Sequence, residues 1–388
     1  MKLLPKIKTL TFAIGMASVA QFAMAEGADE LDPATVEYLY NADMLDPLQP
    51  IGPSPMRDFI AKNPPPWKIG YASSYAGNSW RIDVMDELQN KITPEWQALG
   101  LLDEVLVTES NLNDTTQIQQ IRQLADQGVD AIIICCSNPT ALTQSIKYAY
   151  DKGIPVFSFT GYQTSDLVVN SSPNFQVAGF AVGKAMADEL GGKGKVLVVE
   201  GVPGTSTSDS QDEGIKAGLT TGTDIEIVDT IAGMWTDQVA QGELQKWLAT
   251  HPGHIDAIVG QSSMEMGLLR AVKQSGRDIR VSIGGELGAL CTWRKNPDIA
   301  ASALQTWPPR DEFQVIWEVM MRTMQGQGPK VRSILRGPIA LTYEDVAKHL
   351  PEDCDENAQP WFQLGTEKWG GNLDQFFARP ADPRAYKP

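Results

Sequence analysis

The chain is short of positive charge. Its 32 lysines and arginines face 48 aspartates and glutamates, a formal net charge of −16 over 388 residues. An excess of negative charge repels phosphate, which argues against nucleic acid or anionic lipid as a partner. Histidine is scarce: His251, His254 and His349 are the three present. They show no metal-ligand spacing, the HPGH stretch reads as a helix end, and no metal site is expected. The four cysteines include no CxxC pair. A GxSxG elbow, an HExxH helix and a cysteine–histidine signature are all missing. The glycine-rich LGGKGK lacks Walker spacing and precedes a strand, so it reads as a turn, and no cofactor is expected. Beyond residue 25 no segment is apolar enough to cross a bilayer, which takes about 20 residues.

What is there begins with an export signal. Lys2, Lys6 and Lys8 form a basic start, Leu10 to Phe22 is mostly apolar, and Ala23-Met24-Ala25 suits cleavage after Ala25. Removal of residues 1–25 leaves 363 residues (388 − 25), with a charge of −19 once three lysines are gone (−16 − 3). That length exceeds the roughly 250–300 residues at which one core stops growing, so two domains are expected. Cys135 and Cys136 close the apolar run AIIICC and read as two small buried residues. Cys291 and Cys354 are candidates for a bridge between a C-terminal tail and the body.

Strands and helices alternate through the body. Strands are expected over Lys68–Ala72, Glu104–Thr108, Ala131–Cys135 and Pro155–Phe159, with helices over Asp83–Leu99, Asp114–Gln127 and Thr140–Lys152 between them. A second series follows, with helices over Phe175–Leu190, Gln211–Leu219, Thr236–Thr250 and Met264–Ser275. Its strands are Lys195–Glu200, Ile225–Ile231, Ala257–Gln261 and Arg280–Gly284. Strands joined by helices imply right-handed crossovers and parallel sheets covered on both faces. The fold class is therefore α/β, with two doubly wound parallel-sheet lobes and a ligand expected outside the carboxyl ends of the strands. Extensions flank the body. Residues 26–66 hold eight prolines and end in Pro64-Pro65-Pro66, with room for one short helix near Pro33–Ala42. At the other end Thr342 and Asp345 are spaced as a capping box. The aromatic tail beyond, with Trp361, Phe362, Trp369, Phe376 and Phe377, reads as docked on the body rather than as ligand-binding.

The stretch IGYASSYAGNSWRID, residues 69–83, runs from an apolar strand into a polar loop displaying Asn78, Ser79, Trp80 and Arg81. Tryptophan offers a flat face to the apolar side of a sugar ring, and Asn, Ser and Arg supply donors and acceptors for hydroxyls. The stretch resembles the first ligand loop of the type I periplasmic sugar-binding proteins, the ribose-binding-like family. Further landmarks follow in order: CCSNPTAL, GIPVFSF, LGGKGKVLVVEGVPGTSTSDSQDEGI, AGMWTDQVAQ, AIVGQSSMEMGLLRAVKQSG, SIGGELG and AASALQTWP.

The resemblance covers about Trp67 to Ile339. It implies a three-segment hinge near Ser171–Pro173, near Gln305 and Thr306, and near Leu335–Pro338. The lobes would then be 67–171 with 307–336, and 172–305, leaving 337–388 as hinge exit and C-terminal extension. It implies that Trp80 and Trp235 clamp the sugar ring, with Arg81 beside Trp80. Asn138, Gln261, Glu286 and Gln305 fall at hydrogen-bonding positions, with Trp307 just beyond. Where relatives carry an Asp-Arg pair after the fourth strand, this chain reads Thr160-Gly161 and then Tyr162; Asp209 and Gln211 stand where another arginine is expected. A pocket rich in tryptophan and poor in charge suits a less hydroxylated sugar, a polyol or another small cyclic polar compound. The function implied is a periplasmic receptor that hands its ligand to an ABC permease in the inner membrane. A monomer is expected, because hinge closure needs free lobes. The alternatives are a sensory receptor of the same fold, or a secreted carbohydrate-active enzyme pairing Glu286 with Asp209 or Glu265.

Overall fold

The computed structural model describes residues 49–135, 138–300, 303–305, 308–336, 339–363 and 373–379, with 303–305 and 339–340 described by their backbone. The signal segment, the short helix near Pro33–Ala42, Cys136, Thr306, Trp307, Pro338 and Trp369 lie outside the described residues.

Two parallel sheets organise the chain. The first takes β1 (Trp67–Ser73), β2 (Leu102–Glu109), β3 (Ala131–Cys135), β4 (Val156–Phe159) and β5 (Val168–Pro173). The second takes β6 (Lys193–Glu200), β7 (Asp224–Ala232), β8 (Ala257–Gly260) and β9 (Arg280–Val281), in the order β7-β6-β8-β9. After β10 (Ala303–Gln305) the chain returns to the first sheet as β11 (Ser333–Arg336), then leaves it as β12 (Ile339–Leu341). The first sheet is thereby completed in the order β11-β5-β4-β3-β1-β2, and β10 pairs antiparallel with β12 in a two-stranded ribbon. Every strand pair within the two large sheets is parallel. The run AIIIC is buried at all five positions because helices cover both faces. The α/β class with two doubly wound lobes is the architecture observed.

Several elements depart from the expected bounds for local reasons. The first helix begins at Ser79, not Asp83, because the Asn78 side chain accepts from the Arg81 backbone N–H and caps it. It runs to Glu87 and continues through a π turn, Leu88–Ile92, into Thr93–Ala98. Pro94 lacks the N–H that would bond four residues back, and its ring would crowd that carbonyl. A wide turn just before it relieves both. The helix expected from Gln211 starts at Ser206 behind the Thr205 cap. Gly179 and Gly183 on helix Phe175–Glu189 face Gly214 and Gly218 on this one. A Cβ at any of the four would come within 2.3 Å of the facing backbone, so these two helices meet main chain to main chain.

Helices Leu287–Lys295 and Pro309–Met324 were not foreseen. The second sends Phe313, Ile316, Trp317 and Met320 into the first lobe's core. Its Glu312 forms a fully buried ion pair with Arg336 at the end of β11, 2.6 Å from Nη2 to Oε1. Arg336 also accepts, through its carbonyl, the backbone N–H of Asn174, where the chain first passes between the lobes. Removal of either partner would leave an uncompensated buried charge.

The tail is docked on the body. Cys291 and Cys354 are bonded, with Cα atoms 5.8 Å apart, and the Thr342–Asp345 capping box is formed. Cys135 is 1% exposed and is disulfide-bonded rather than a free buried thiol. Among the described residues, no helix is long and apolar enough to cross a membrane.

Candidate functional site

A cavity of about 60 Å³ lies between the lobes, well above the roughly 10–15 Å³ that a single water needs. Its walls come from loops that follow the carboxyl ends of parallel strands, the expected place for a ligand in an open α/β sheet. Tyr75, Asn78, Trp80 and Arg81 follow β1, and Thr160 follows β4. From the second lobe come Thr207 and Gln211 after β6, Trp235 after β7, and Ser262 and Ser263 after β8. Thr160, Trp235 and Ser263 have φ of 52°, 50° and 73°. Non-glycine residues in this left-handed region carry strain of order 1–3 kcal/mol each, and such residues cluster at functional sites.

Trp80 occupies the first turn of the Asn78-capped helix. Its ring stacks near Phe159, centroids 6.2 Å apart at 29°, and the Arg81 guanidinium lies 4.5 Å from its centroid. Arg81 Nη2 donates to Thr160 Oγ1 at 3.1 Å. Burial pulls this guanidinium below its ordinary value, with Tyr71 pulling the other way; an arginine stays charged in proteins. A buried cation thus backs the aromatic wall. Trp235 is held by a polar strut instead. Its indole N–H donates to Gln261 Oε1 at 2.8 Å, and Gln261 Nε2 donates to the Ser208 carbonyl at 2.9 Å. Gly201 makes the space: a Cβ there would come 2.0 Å from the Trp235 Nε1.

Direct hydrogen bonds join the lobes around the cavity. Asn78 Nδ2 donates to the Trp235 carbonyl at 3.1 Å, the Tyr162 N–H donates to Ser206 Oγ at 3.0 Å, and Thr207 Oγ1 donates to the Thr160 carbonyl. Ser79 Oγ donates to Glu286 Oε1, while Glu286 Oε2 has no partner among the described residues. Burial, and then the neighbouring Glu265 carboxylate, push the Glu286 carboxyl up. Burial does the same to Glu265.

Six of the residues singled out from sequence do not line the cavity. Asn138 caps a turn, accepting from the N–H groups of Thr140 and Ala141. Asp209 accepts from the Gly204 N–H at its helix start, on the surface. Tyr162 and Ser79 serve as contacts between lobes, Gln261 positions Trp235, and Glu286 sits behind Ser79. Gln305 is described by its backbone, opposite Ile339 in the ribbon. Asn78, Trp80, Arg81, Thr160, Gln211 and Trp235 do line it. Sequence reasoning passed over Tyr75, Thr207, Ser262 and Ser263, which sit near residues it chose, and Phe175, which it read only as a helix start. It also assigned Trp361 to docking alone, whereas Trp361 docks and lines the cavity as well.

A family model described as a periplasmic binding protein domain matches residues 69–328. A xylitol-binding protein of Mycolicibacterium smegmatis is 32% identical over 176 residues, 45% of this chain and 50% of that protein. The chain thus spans about half the length of that relative. A ribose import binding protein of Bacillus subtilis is 26% identical over 313 residues, 78% of this chain and 94% of that protein. Among solved structures, an ABC transporter solute binding protein from Mycobacterium smegmatis with bound glycerol superposes with a TM-score of 0.66 at 20% identity. It covers 74% of this chain and 98% of its own.

Proposed function

The chain belongs to the periplasmic binding protein family, and on that premise we propose that it is the solute receptor of an ABC importer, binding a small sugar or polyol between its lobes. It is exported with cleavage after Ala25, works as a monomer, and presents the closed lobes to a permease in the inner membrane. Its role is capture without turnover. The observation that carries this reading is the pairing of Trp80 and Trp235, one from each lobe, on one small cavity whose charged lining group is Arg81. Indole faces pack on the C–H side of a polyol or sugar, while Asn78, Thr160, Thr207 and Gln211 supply the few polar contacts that such a site needs.

The carboxylate-pair alternative draws no support from the geometry. Glu286 and Glu265 are not among the residues that line the cavity, and Asp209 accepts from the Gly204 N–H on the surface. The likeness to a xylitol-binding relative supports polyols as the first class to test, and the ribose relative supports pentoses as the second.

The test is a thermal-shift series on ligand-stripped, refolded protein with xylitol, ribitol, D-ribose, myo-inositol and glycerol. A ligand that binds only the folded state adds about 4 kcal/mol at a thousandfold excess over its Kd. One class should raise the unfolding midpoint clearly and by an amount that grows with concentration. Silence across the series from demonstrably folded protein would sink the sugar or polyol reading.

A further inference from the structure

The C-terminal segment lies beyond the family-matched residues, and its two described parts are fastened to different lobes. Residues 351–363 are tied to the second. Besides the Cys291–Cys354 bond, the backbone N–H groups of Leu287 and Gly288 donate to the carbonyls of Pro360 and Ala358, and that of Phe362 donates to the Gly285 carbonyl. Residues 373–379 are tied to the first lobe. Phe376 and Phe377 enter its core, and the N–H of Ala378 donates to the Gly328 carbonyl.

Trp361 sits where the strap meets both lobes. Its backbone pairs with Glu286 of the second lobe, and its N–H donates to Asp83 Oδ2 of the first at 2.9 Å. Its indole N–H donates to Ser79 Oγ at 3.0 Å, and the residue is 1% exposed. The same indole lines the interlobe cavity. With its N–H committed to Ser79, what it can offer a ligand is ring carbon. Backbone contacts to both lobes deny it the freedom to swing aside for a larger molecule.

We propose that Trp361 is a ligand-contacting, specificity-determining residue: a further aromatic wall beside those that the lobes supply, delivered by the C-terminal strap, that limits the size of the sugar or polyol the cleft accepts. This rests on the receptor reading above. A wall fixed from outside the lobes bounds the cavity on a further side, so ligand size is read by collision as well as by attraction.

The experiment measures affinities for glycerol, xylitol, D-ribose and myo-inositol by calorimetry on the full chain, comparing wild type with Trp361→Phe and Trp361→Ala. Phenylalanine keeps a ring in the core, so its variant serves if alanine prevents folding; unfolding midpoints are recorded for each. The expected result is a change in ranking: the affinity ratio of the larger ligands to the smaller rises by about tenfold. A purely structural role would weaken all ligands alike or none. Wild-type binding with the ratios unchanged in the folded variants would overturn this inference and leave the receptor reading standing. Wild-type protein that binds none of the four would overturn both.

Discussion

Trp80 and Trp235 stand on the same cavity and are equally buried, 8% exposed each, yet different physics holds them. Trp80 belongs to the first lobe's hydrophobic cluster, with Tyr71, Phe159 and Phe313 around it. Its orientation follows from a capped helix and from packing that the lobe needs in order to fold. Trp235 follows Met234, and both have left-handed φ, at 56° and 50°. It too is packed in its lobe's hydrophobic cluster, with Val199, Val202 and Met264 among the members, and it adds a hydrogen bond to Gln261 and a seat on the bare backbone of Gly201. One wall is core that faces the cavity from unstrained backbone. The other is set at a cost in backbone strain, and the site accounts for that cost better than the fold does.

The largest effects should separate the two walls. Trp80→Ala removes a ring from a packed cluster and is expected to lose about 3 kcal/mol or more of stability, together with affinity. Trp235→Ala is expected to lose at least about 2 kcal/mol of binding, roughly thirtyfold, and less stability than Trp80→Ala, because among the described residues no aromatic ring packs on it as Phe159 does on Trp80. Denaturant unfolding and calorimetry on the same samples read both quantities. Equal losses of stability in the two variants would erase the distinction.

A middle-sized effect sharpens it. Gln261→Ala leaves the Trp235 indole N–H without its partner in a buried setting, at about 1–3 kcal/mol. The expected outcome is weaker ligand binding with Trp80 and its neighbours unperturbed, visible as a change confined to one indole resonance in an NMR spectrum. Affinity equal to wild type would mean that Trp235 keeps its pose without the strut, and that Gly201 and the backbone suffice.

These differences also explain what could be read from the chain itself. The parallel sheets were legible because runs such as AIIIC and KVLVV carry their burial in their composition. Trp80 and Trp235 were reachable through the resemblance of their loops. The helix start at Ser79 was misjudged because an Asn cap followed by a tryptophan looks like loop. The helix Pro309–Met324 had a signal that went unused: two prolines, two acidic residues in the first turn, and apolar residues at Phe313, Ile316, Trp317 and Met320. Asn138 illustrates the opposite error, since a residue in the right loop can spend its side chain on a turn. Trp361 was beyond reach as a cavity residue. Its place depends on a strap more than 120 residues from Trp235 (361 − 235 = 126); the Cys291–Cys354 bridge that fastens it was a candidate from sequence, but which side chain the docked strap turns toward the cavity was not.

The last expected effect concerns charge. The first lobe backs its wall with a buried cation, Arg81, whereas the second lobe brings buried carboxyls to its side of the cleft. Burial first, then the Glu265 and Asp237 charges, push Glu286 up to about 9 against the pulls of Ser79 and Arg270. Burial pushes Glu265 up to about 7, with Asp237 adding to it. Unfolded, both would titrate near 4.5, so from there to about 9 the folded chain holds more protons than the unfolded one. Stability from this source is complete below pH 4.5 and drains away as pH rises through the folded values. The unfolding midpoint should therefore fall between pH 5 and pH 9, and Glu286→Gln, which fixes the neutral form, should flatten the upper part of that fall. Parallel curves for wild type and variant would mean that Glu286 is charged in the folded protein despite its burial. The contrast between a cationic wall and a neutral one would then give way to an attraction across the cleft.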